Sequence, residues 1–306
     1  MSTSTESHKP PLIHIGMPKA ASTWLQQRFF RPEHGYKLCY GPLAAHLAFI
    51  SPRPFCWTPP TNTGVEKAGS LTPVISCEAL SGDPLSGGAD GEMILARLHQ
   101  ALPDARILIV IREQIDMLRS LYQLLVNWGY PYKLDLLANN TLSAKAPRFE
   151  PAFLCYDRII KAYQDAFGHH KVLVLSFEEF RSQPLIFLNK LNLFCGVESP
   201  PHAPQPAVHE RINSKRDLFS LELKRLYNRH IARTVFDMGG FYSPARIQAA
   251  GNVSLPAPRI LTDIYERRFS QRARSLIGPL YEESNLNTEQ LTGLPLGALG
   301  YIKGSR

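Results

Sequence analysis

The sequence predicts an α/β fold, a three-layer sandwich around a mostly parallel sheet with a helical C-terminal part. Two observations lead to this prediction. Short runs rich in Ile, Val and Leu alternate with segments of helical periodicity through the first two thirds of the chain, as in proteins built from βαβ units. Each run is mostly apolar and does not alternate with polar residues, which is typical of strands that helices cover on both faces. The predicted strands cover residues 12–16, 74–77, 106–111 and 171–176.

The segments between and after these runs predict helices, because their apolar residues recur at intervals of three and four positions. The predicted helices cover residues 23–30, 91–102, 114–128, 156–167, 185–194, a stretch that ends near residue 229, and 260–276.

One domain with additions is expected from a chain of 306 residues that is 44% hydrophobic and 20% charged. Residues 1–10 are polar and are expected to be disordered. Residues 11–199 are predicted to form the α/β core. Residues 31–73 are rich in proline and lack clear periodicity, so we expect a long irregular insertion there. Residues 200–306 are predicted to be a helical part of the same domain, on its lid or acceptor side.

Composition narrows the classes of partner. The net charge of +8 fits a protein that binds an anionic ligand. Lys and Arg form no long run, which argues against a nucleic-acid partner. The longest apolar runs are far below the ~20 residues of a membrane span, and the N-terminus has no apolar signal region, so a cytoplasmic location is expected. The five cysteines form no Cys-x-x-Cys pair, so neither a disulfide framework nor a bound metal is expected.

The first predicted strand ends in a loop suited to phosphate, which runs Gly-Met-Pro-Lys-Ala-Ala-Ser-Thr-Trp over residues 16–24. A helix begins at Ser22 or Thr23. Its first N–H groups have no intrahelical acceptor and carry the positive end of the helix dipole, so they attract anions. Lys19 adds a full charge beside them, and the two hydroxyls add donors. The strand, loop and helix therefore predict a P-loop-like anion site.

A nucleotide triphosphatase loop is the first alternative for this segment. It requires Gly-Lys-Ser/Thr, with the lysine directly before the hydroxyl residue. Here Lys19 precedes Ser22 by three positions and the second glycine is missing. The sequence therefore favours a different phosphate loop.

The order Pro-Lys-x-x-Ser-Thr-Trp resembles the 5′-phosphosulfate loop of sulfotransferases, which usually reads Pro-Lys-x-Gly-Thr/Ser-Thr-Trp/Ser. That family uses 3′-phosphoadenosine-5′-phosphosulfate (PAPS). Ala21 stands where glycine is commonest, so the loop is expected to close without a positive φ at this residue. Trp24 has two open interpretations, stacking on adenine or packing in the core. The resemblance implies that the cofactor contacts Lys19, Ala20, Ala21, Ser22, Thr23 and Trp24.

A second pair of residues matches the same family. Arg112 follows the predicted strand 106–111, and Ser120 lies eight residues later in a helix. The segment Pro-Asp-Ala-Arg-Ile-Leu-Ile-Val-Ile-Arg resembles the family's run, and the resemblance implies that Arg112 and Ser120 bind the 3′-phosphate. An arginine offers a planar fork for such a group. The alternatives are an ion pair of Arg112 with Glu113, Asp116 or another acid, and a solvated serine.

The general base is predicted to be Glu78, which follows the strand 74–77 at the sheet edge where ligands bind. Its context, Ser-Cys-Glu, is similar to the Ser-x-Glu segment of carbohydrate-type sulfotransferases, which implies the role of base. A structural carboxylate paired with a loop lysine is the alternative. Small-molecule sulfotransferases use a histidine instead, and His14, His46 and His99 are the candidates here.

The resemblance also implies a basic C-terminal segment that closes over the cofactor, for which Arg211, Ser214 and Lys215 are the candidates. The equal alternative is a helix start with solvated charges. The predicted function is transfer of a sulfuryl group from PAPS to a hydroxyl or amine of an acceptor, with a carbohydrate favoured and no metal required. An inactive nucleotide-binding protein of the same fold and a P-loop kinase are the alternatives.

Overall fold

The computed structural model describes residues 9–51, 56–61, 63–138, 149–198, 217–231 and 258–301. Five strands occur in these ranges: β1 (Leu12–His14), β2 (Tyr36–Tyr40), β3 (Thr72–Ser76), β4 (Arg106–Ile111) and β5 (Val172–Ser176). They form one sheet in the order β2-β3-β1-β4-β5, and every neighbouring pair is parallel. The predicted α/β class with a parallel sheet is therefore confirmed, as are all four predicted strands.

The three inner strands are apolar and buried along almost their whole length, because helices cover both faces of the sheet. The helices are α1 (Ser22–Trp24), α2 (Pro42–Ala45), α3 (Gly91–Ala101), α4 (Gln114–Asn127), α5 (Leu134–Ala138), α6 (Tyr156–Phe167), α7 (Phe177–Ser182), α8 (Pro184–Cys195), α9 (Leu218–His230) and α10 (Arg259–Thr292). A π-helical turn, Leu25–Phe29, continues α1. In the described part of the chain, no helix combines the length and the apolar character needed to cross a membrane.

Strand β2 corrects one prediction, because it lies inside the segment 31–73 that was expected to be irregular. Only Tyr36 of β2 is fully buried, and its hydroxyl donates to Asn192 Oδ1 at 2.8 Å. The rest of β2 is half-exposed, as suits an edge strand, so it lacks the continuous apolar run of the inner strands. The alternation of Tyr36, Leu38 and Tyr40 at a period of two is the signal that could have found it.

Helix α10 is much longer than the predicted 260–276 and continues past Pro279. A proline inside a helix lacks the N–H of one intrahelical bond and usually ends the helix. Here tertiary contacts hold the later turns. The Tyr281 hydroxyl donates to the Pro151 carbonyl at 3.0 Å, and Asn285 accepts from the Gln114 side chain at 2.6 Å.

The strand order sets the position of the site. The chain leaves β1 towards β2 and β3 on one side, and it leaves β4 towards β5 on the other side. The gap between the carboxyl ends of β1 and β4 is therefore the topological switch point, where open α/β sheets bind ligands. The loop after β1, Glu78 after β3 and Arg112 after β4 all lie at this edge.

Candidate active site

The loop after β1 stays close to β4 before it turns. The Ile15 N–H donates to the Leu108 carbonyl at 3.0 Å, and the Met17 N–H donates to the Val110 carbonyl at 3.2 Å. These bonds extend the parallel ladder beyond the end of β1 and fix where the turn begins.

The turn itself contains two residues with left-handed backbone. Lys19 has a φ of 64° and Ala21 a φ of 66°. The expectation that the loop closes without a positive φ at Ala21 is therefore wrong. Side chains make this conformation unfavourable by about 1–2 kcal/mol per residue, and it persists only where the surroundings enforce it. Strain of this kind is common in loops that bind ligands.

Arg112 supports the turn directly. Its Nη1 donates to the Lys19 carbonyl at 2.9 Å, so the side chain that leaves β4 holds the middle of the loop. The guanidinium lies over the Phe177 ring, 4.8 Å from its centroid, and only 4% of Arg112 is exposed. A buried, planar and permanently charged group is well suited to fixing a backbone carbonyl.

The side chains of the loop differ in what they offer a ligand. Ala20 is fully buried, so only its backbone is available. Lys19 is exposed, and its ammonium has no acceptor among the residues that the structure describes. Ser22 is 3% exposed, and its Oγ has no hydrogen-bond partner in the described ranges. Thr23 is half-buried at the same helix start. Two groups without partners in the described residues, the Lys19 ammonium and the Ser22 hydroxyl, therefore lie at the switch point.

Trp24 is buried in the core rather than presented to a ligand. Its ring centroid lies 4.9 Å from that of Phe180 on α7, and 5% of the residue is exposed. Of the two interpretations of Trp24, this arrangement favours core packing over stacking on adenine.

Arg112 lies just before α4, and Asp116 and Ser120 follow it at intervals of four residues in the first two turns of that helix. Arg112 Nη2 pairs with Asp116 Oδ2 at 3.2 Å, and the Ser120 hydroxyl donates to the Asp116 carbonyl at 3.0 Å. The ion pair with Asp116 is one of the alternatives that the sequence left open. Arg112 Nε is buried without a partner within the described part of the chain.

Glu78 opens a short 3-10 turn, Glu78–Ser81, directly after β3. Its residue is half-buried, and its carboxylate has neither a hydrogen bond nor an ion pair within the described residues. The alternative of a carboxylate paired with a loop lysine therefore finds no support in the described ranges. β3 lies beside β1, so Glu78 and the loop after β1 share one edge of the sheet.

The three candidate histidines lie in different surroundings. His46 is exposed on a π-helical turn of the segment 31–73. His99 packs edge-on against Phe167 in the last turn of α3, which leads to the amino end of β4, opposite the site. His14 is fully buried beneath the loop, and burial lowers its pKa from 6.5 to about 3.

Sequence reasoning missed a small polar network beneath the loop. His14 Nδ1 lies 2.8 Å from Ser76 Oγ, because the register of β1 against β3 places the two residues side by side. Gln26 donates to the same Ser76 hydroxyl at 3.0 Å. The predicted Arg211, Ser214 and Lys215 lie outside the described residues. No group of three His, Cys, Asp or Glu residues that could hold a metal occurs in the described ranges.

The chain is similar to several sulfotransferases of known structure. A sulfotransferase from Alicyclobacillus acidocaldarius is 21% identical, and the match covers 72% of this chain and 94% of that one with a TM-score of 0.49. The mouse sulfotransferase SULT7A1, solved in complex with PAP, is 12% identical over 93% of this chain and 91% of its own, with a TM-score of 0.41.

The sulfotransferase domain from the Synechococcus PCC 7002 olefin synthase is 14% identical over 89% of this chain and 98% of its own, with a TM-score of 0.44. No protein-family model matches the sequence, and no curated protein matches it. Matches at these identities and TM-scores indicate a likeness of fold and do not assign an activity.

Proposed function

We propose that this protein is a PAPS-dependent sulfotransferase, which transfers a sulfuryl group to a hydroxyl or an amine of an acceptor. The observation that supports it is the unpaired state of the β1 loop. Lys19 is exposed without an acceptor, and the buried Ser22 hydroxyl lacks a partner, each within the described residues. Buried polar groups are nearly always paired in folded proteins, so an unpaired one at a switch point indicates a ligand.

The hydrogen-bond donors of the loop after β1 fit a phosphate group. When PAPS binds, negative charge develops on the oxygen between sulfur and the 5′-phosphate as the bond to sulfur breaks. Lys19 would stabilise that charge, and the N–H groups at the helix start would add neutral donors. Lys19 is therefore assigned to the leaving group.

Glu78 is assigned to the acceptor. The acceptor oxygen forms the new bond to sulfur while the bond between sulfur and the phosphate oxygen breaks, and the acceptor proton passes to the Glu78 carboxylate. A carboxylate with no partner in the described residues is free to take that proton. A carbohydrate hydroxyl is the acceptor class to test first, because of the Ser-x-Glu context that the sequence shares with carbohydrate-type enzymes.

Arg112 and Ser120 are assigned to the 3′-phosphate. Arg112 already pairs with the Asp116 carboxylate. A 3′-phosphate that takes the place of that carboxylate on the guanidinium would form a bidentate pair, with the unpartnered Nε as a further donor. The side chain of Asp116 is 33% exposed, so it has solvent to turn into.

A thermal-shift titration tests the nucleotide. Adenosine 3′,5′-bisphosphate (PAP), added without metal, is expected to stabilise the protein by about 2.7 kcal/mol at a concentration 100 times its Kd. ATP with Mg²⁺ is the control. If ATP with Mg²⁺ stabilises the protein and PAP does not, the protein is a P-loop kinase rather than a sulfotransferase.

A transfer assay tests the reaction. Labelled PAPS is incubated with oligosaccharides, polysaccharides, phenols and lipid alcohols, and labelled product is measured. Product from at least one class is expected. A protein that binds PAP tightly and labels no acceptor would be a nucleotide-binding protein of the same fold.

A further inference from the structure

His14 is a buried polar residue that the proposed mechanism does not use. It lies on β1 directly beneath the phosphate loop, and none of its surface is exposed. Nδ1 has a partner in Ser76, but Nε2 is buried without one among the described residues. Burial alone lowers the pKa of His14 to about 3, so the ring is neutral at physiological pH. A neutral imidazole carries its single hydrogen on one of the two nitrogens.

The hydrogen bonds of Ser76 show which nitrogen carries it. Gln26 Nε2 donates to the Ser76 backbone carbonyl at 3.2 Å as well as to Ser76 Oγ at 3.0 Å. A carbonyl can only accept, so the Gln26 atom at this place is the NH₂ group, and Ser76 Oγ accepts from it. The Ser76 hydroxyl hydrogen then needs an acceptor, and His14 Nδ1 at 2.8 Å is the one in reach in the described ranges. The hydrogen of His14 is therefore on Nε2.

That Nε2–H group faces the start of the loop helix. A Cβ added to Gly16 would lie 2.5 Å from His14 Nε2 and 2.8 Å from Ser22 Oγ. Both atoms therefore flank Gly16 on the same side, and only glycine leaves room for them there. Ser22 Oγ is the second buried polar atom of this corner that has no partner in the described residues. A donor and an acceptor thus lie close to each other, unpaired, under the loop.

We propose that His14 is a positioning residue of the phosphate loop: in the anion-bound state its Nε2–H donates to Ser22 Oγ. The single hydrogen of the Ser22 hydroxyl is then directed away from His14 and towards a phosphate oxygen. The chain of bonds runs from Gln26 through Ser76 and His14 to Ser22, and each hydroxyl in it accepts one hydrogen and donates one. This inference rests on the proposed function, because the anion is the 5′-phosphate side of the nucleotide.

A pair of substitutions separates the two ends of the imidazole. In His14→Asn the amide nitrogen takes the position of Nδ1, and no donor reaches Ser22 Oγ. In His14→Gln the amide nitrogen takes the position of Nε2 and can donate to Ser22 Oγ. PAP affinity, measured by calorimetry, is expected to fall about 3- to 10-fold in His14→Asn, the effect of one lost hydrogen bond, and to stay within about 2-fold in His14→Gln. In a Ser22→Ala background, His14→Asn is expected to have no further effect. Equal losses in both His14 variants, or an undiminished loss in the Ser22→Ala background, would overturn the proposal.

A measurement on the unsubstituted protein covers the case in which the variants fail to fold. Long-range ¹H–¹⁵N correlation spectra of ¹⁵N-histidine-labelled protein report the tautomer of each ring. His14 is expected to carry its hydrogen on Nε2, and PAP is expected to shift the Nε2 resonance. A hydrogen on Nδ1, or an Nε2 signal unmoved at saturating PAP, would overturn the proposal. If the unsubstituted protein binds no PAP, the proposed function fails instead, and the ligand-free tautomer still decides the assignment of His14.

Discussion

The carboxyl ends of β1 and β5 lie on the same edge of the sheet, but their polar side chains differ in pairing. After β5, the side chains are tied to other elements. Ser176 Oγ accepts from the Glu179 N–H at 3.0 Å, and Glu178 accepts from the Glu113 N–H at 3.1 Å and from the Tyr301 hydroxyl at 2.9 Å. These bonds cap α7 and attach the C-terminal segment to the sheet.

After β1, the corresponding groups have no partner in the described part of the chain: the Lys19 ammonium, Ser22 Oγ and His14 Nε2. Paired groups have already used their bonding capacity in the folded protein. Unpaired groups keep theirs for a ligand, at a cost in stability. This difference indicates that the polar residues after β5 are structural and that those after β1 form the candidate site. Matched substitutions at the two ends can test it.

The largest effect is expected at the two glutamates, one from each kind of strand end. Glu78→Gln cannot take a proton, so kcat should fall by about 10²- to 10⁴-fold while PAP affinity is kept. Glu178→Gln should leave kcat nearly unchanged and lower the free energy of unfolding by about 1 kcal/mol, because it weakens the bonds to Tyr301 and Glu113.

Acceptor acidity sharpens this test. The loss in Glu78→Gln should shrink for nitrophenols, whose hydroxyl needs little help to ionise. Turnover of Glu78→Gln near the unsubstituted level on an ordinary alcohol would show that Glu78 is structural. A histidine would then become the base to test.

The next effect is expected at Lys19. Lys19→Ala removes the charge assigned to the leaving phosphate, so kcat should fall by about 10²- to 10³-fold and PAP should bind less tightly. Lys161→Ala is the matched control, because Lys161 is exposed on α6 and pairs with Asp165 in the same helix. Similar kinetics in the two variants would contradict the role of Lys19.

The buried His14 predicts a dependence of stability on pH. Its pKa is about 3 in the folded protein and near 6.5 when unfolded. Below pH 6.5 the unfolded chain therefore binds a proton that the folded chain does not. His14 should therefore lower the free energy of unfolding as the pH falls below 6.5, by roughly 1 kcal/mol for each pH unit.

Urea unfolding of the original protein and of His14→Gln, at several pH values from 7 to 5, measures this contribution. The variant should lose less stability as the pH falls. Parallel pH profiles of the two proteins would show that His14 is not held neutral.

Arg112 and Ser120 should respond differently, although both are assigned to one phosphate. Ser120→Ala should weaken PAP binding several-fold and leave adenosine 5′-phosphosulfate, which has no 3′-phosphate, unaffected. Arg112→Ala should weaken adenosine 5′-phosphosulfate by about 10-fold, because Arg112 holds the Lys19 carbonyl, and should weaken PAP by more, because PAP also loses the contact to its 3′-phosphate. Loss of both ligands in Ser120→Ala would place a different group at Ser120.

The smallest effect is expected at Asp116. If its carboxylate occupies the place of the 3′-phosphate on Arg112, Asp116→Asn should raise PAP affinity by about 2- to 5-fold, since a neutral amide competes less well for the guanidinium. Calorimetry with PAP and with adenosine 5′-phosphosulfate measures it, and only PAP should gain. A loss of PAP affinity would mean that Asp116 supports the site rather than competing for it.

The fold could be predicted from the sequence where burial is complete. The four predicted strands are mostly apolar and mostly buried, although β5 lies at an edge of the sheet. The edge strand Tyr36–Tyr40 is half-exposed and contains Lys37 and Cys39 between its larger apolar residues, so it has no continuous apolar run to indicate a strand. The prediction of α10 ended too early because Pro279 locally disfavours a helix. The contacts that keep all 34 residues helical come from distant parts of the chain.

The part of the candidate site that could be predicted is the set of residues that follow the carboxyl ends of the strands. Parallel strands bring their carboxyl ends to one edge, so the meeting of Lys19, Glu78 and Arg112 followed from the order of the motifs. The bond of Gln26 and His14 to Ser76 depends on the register of two strands distant in sequence, which no local pattern contains. The sequence also could not decide whether a phosphate or Asp116 holds the guanidinium, because both satisfy the same donors.

The left-handed backbone of Lys19 and Ala21 also bears on the rate at which a nucleotide can bind. Arg112 holds this turn through the Lys19 carbonyl. A loop whose shape is set during folding does not have to become ordered when the nucleotide arrives. A nucleotide that binds as proposed would then associate at a rate set by diffusion and by attraction to Lys19, without a search through loop conformations. The strain at these two residues thus becomes preorganisation of the loop backbone, which a nucleotide bound as proposed would not have to order.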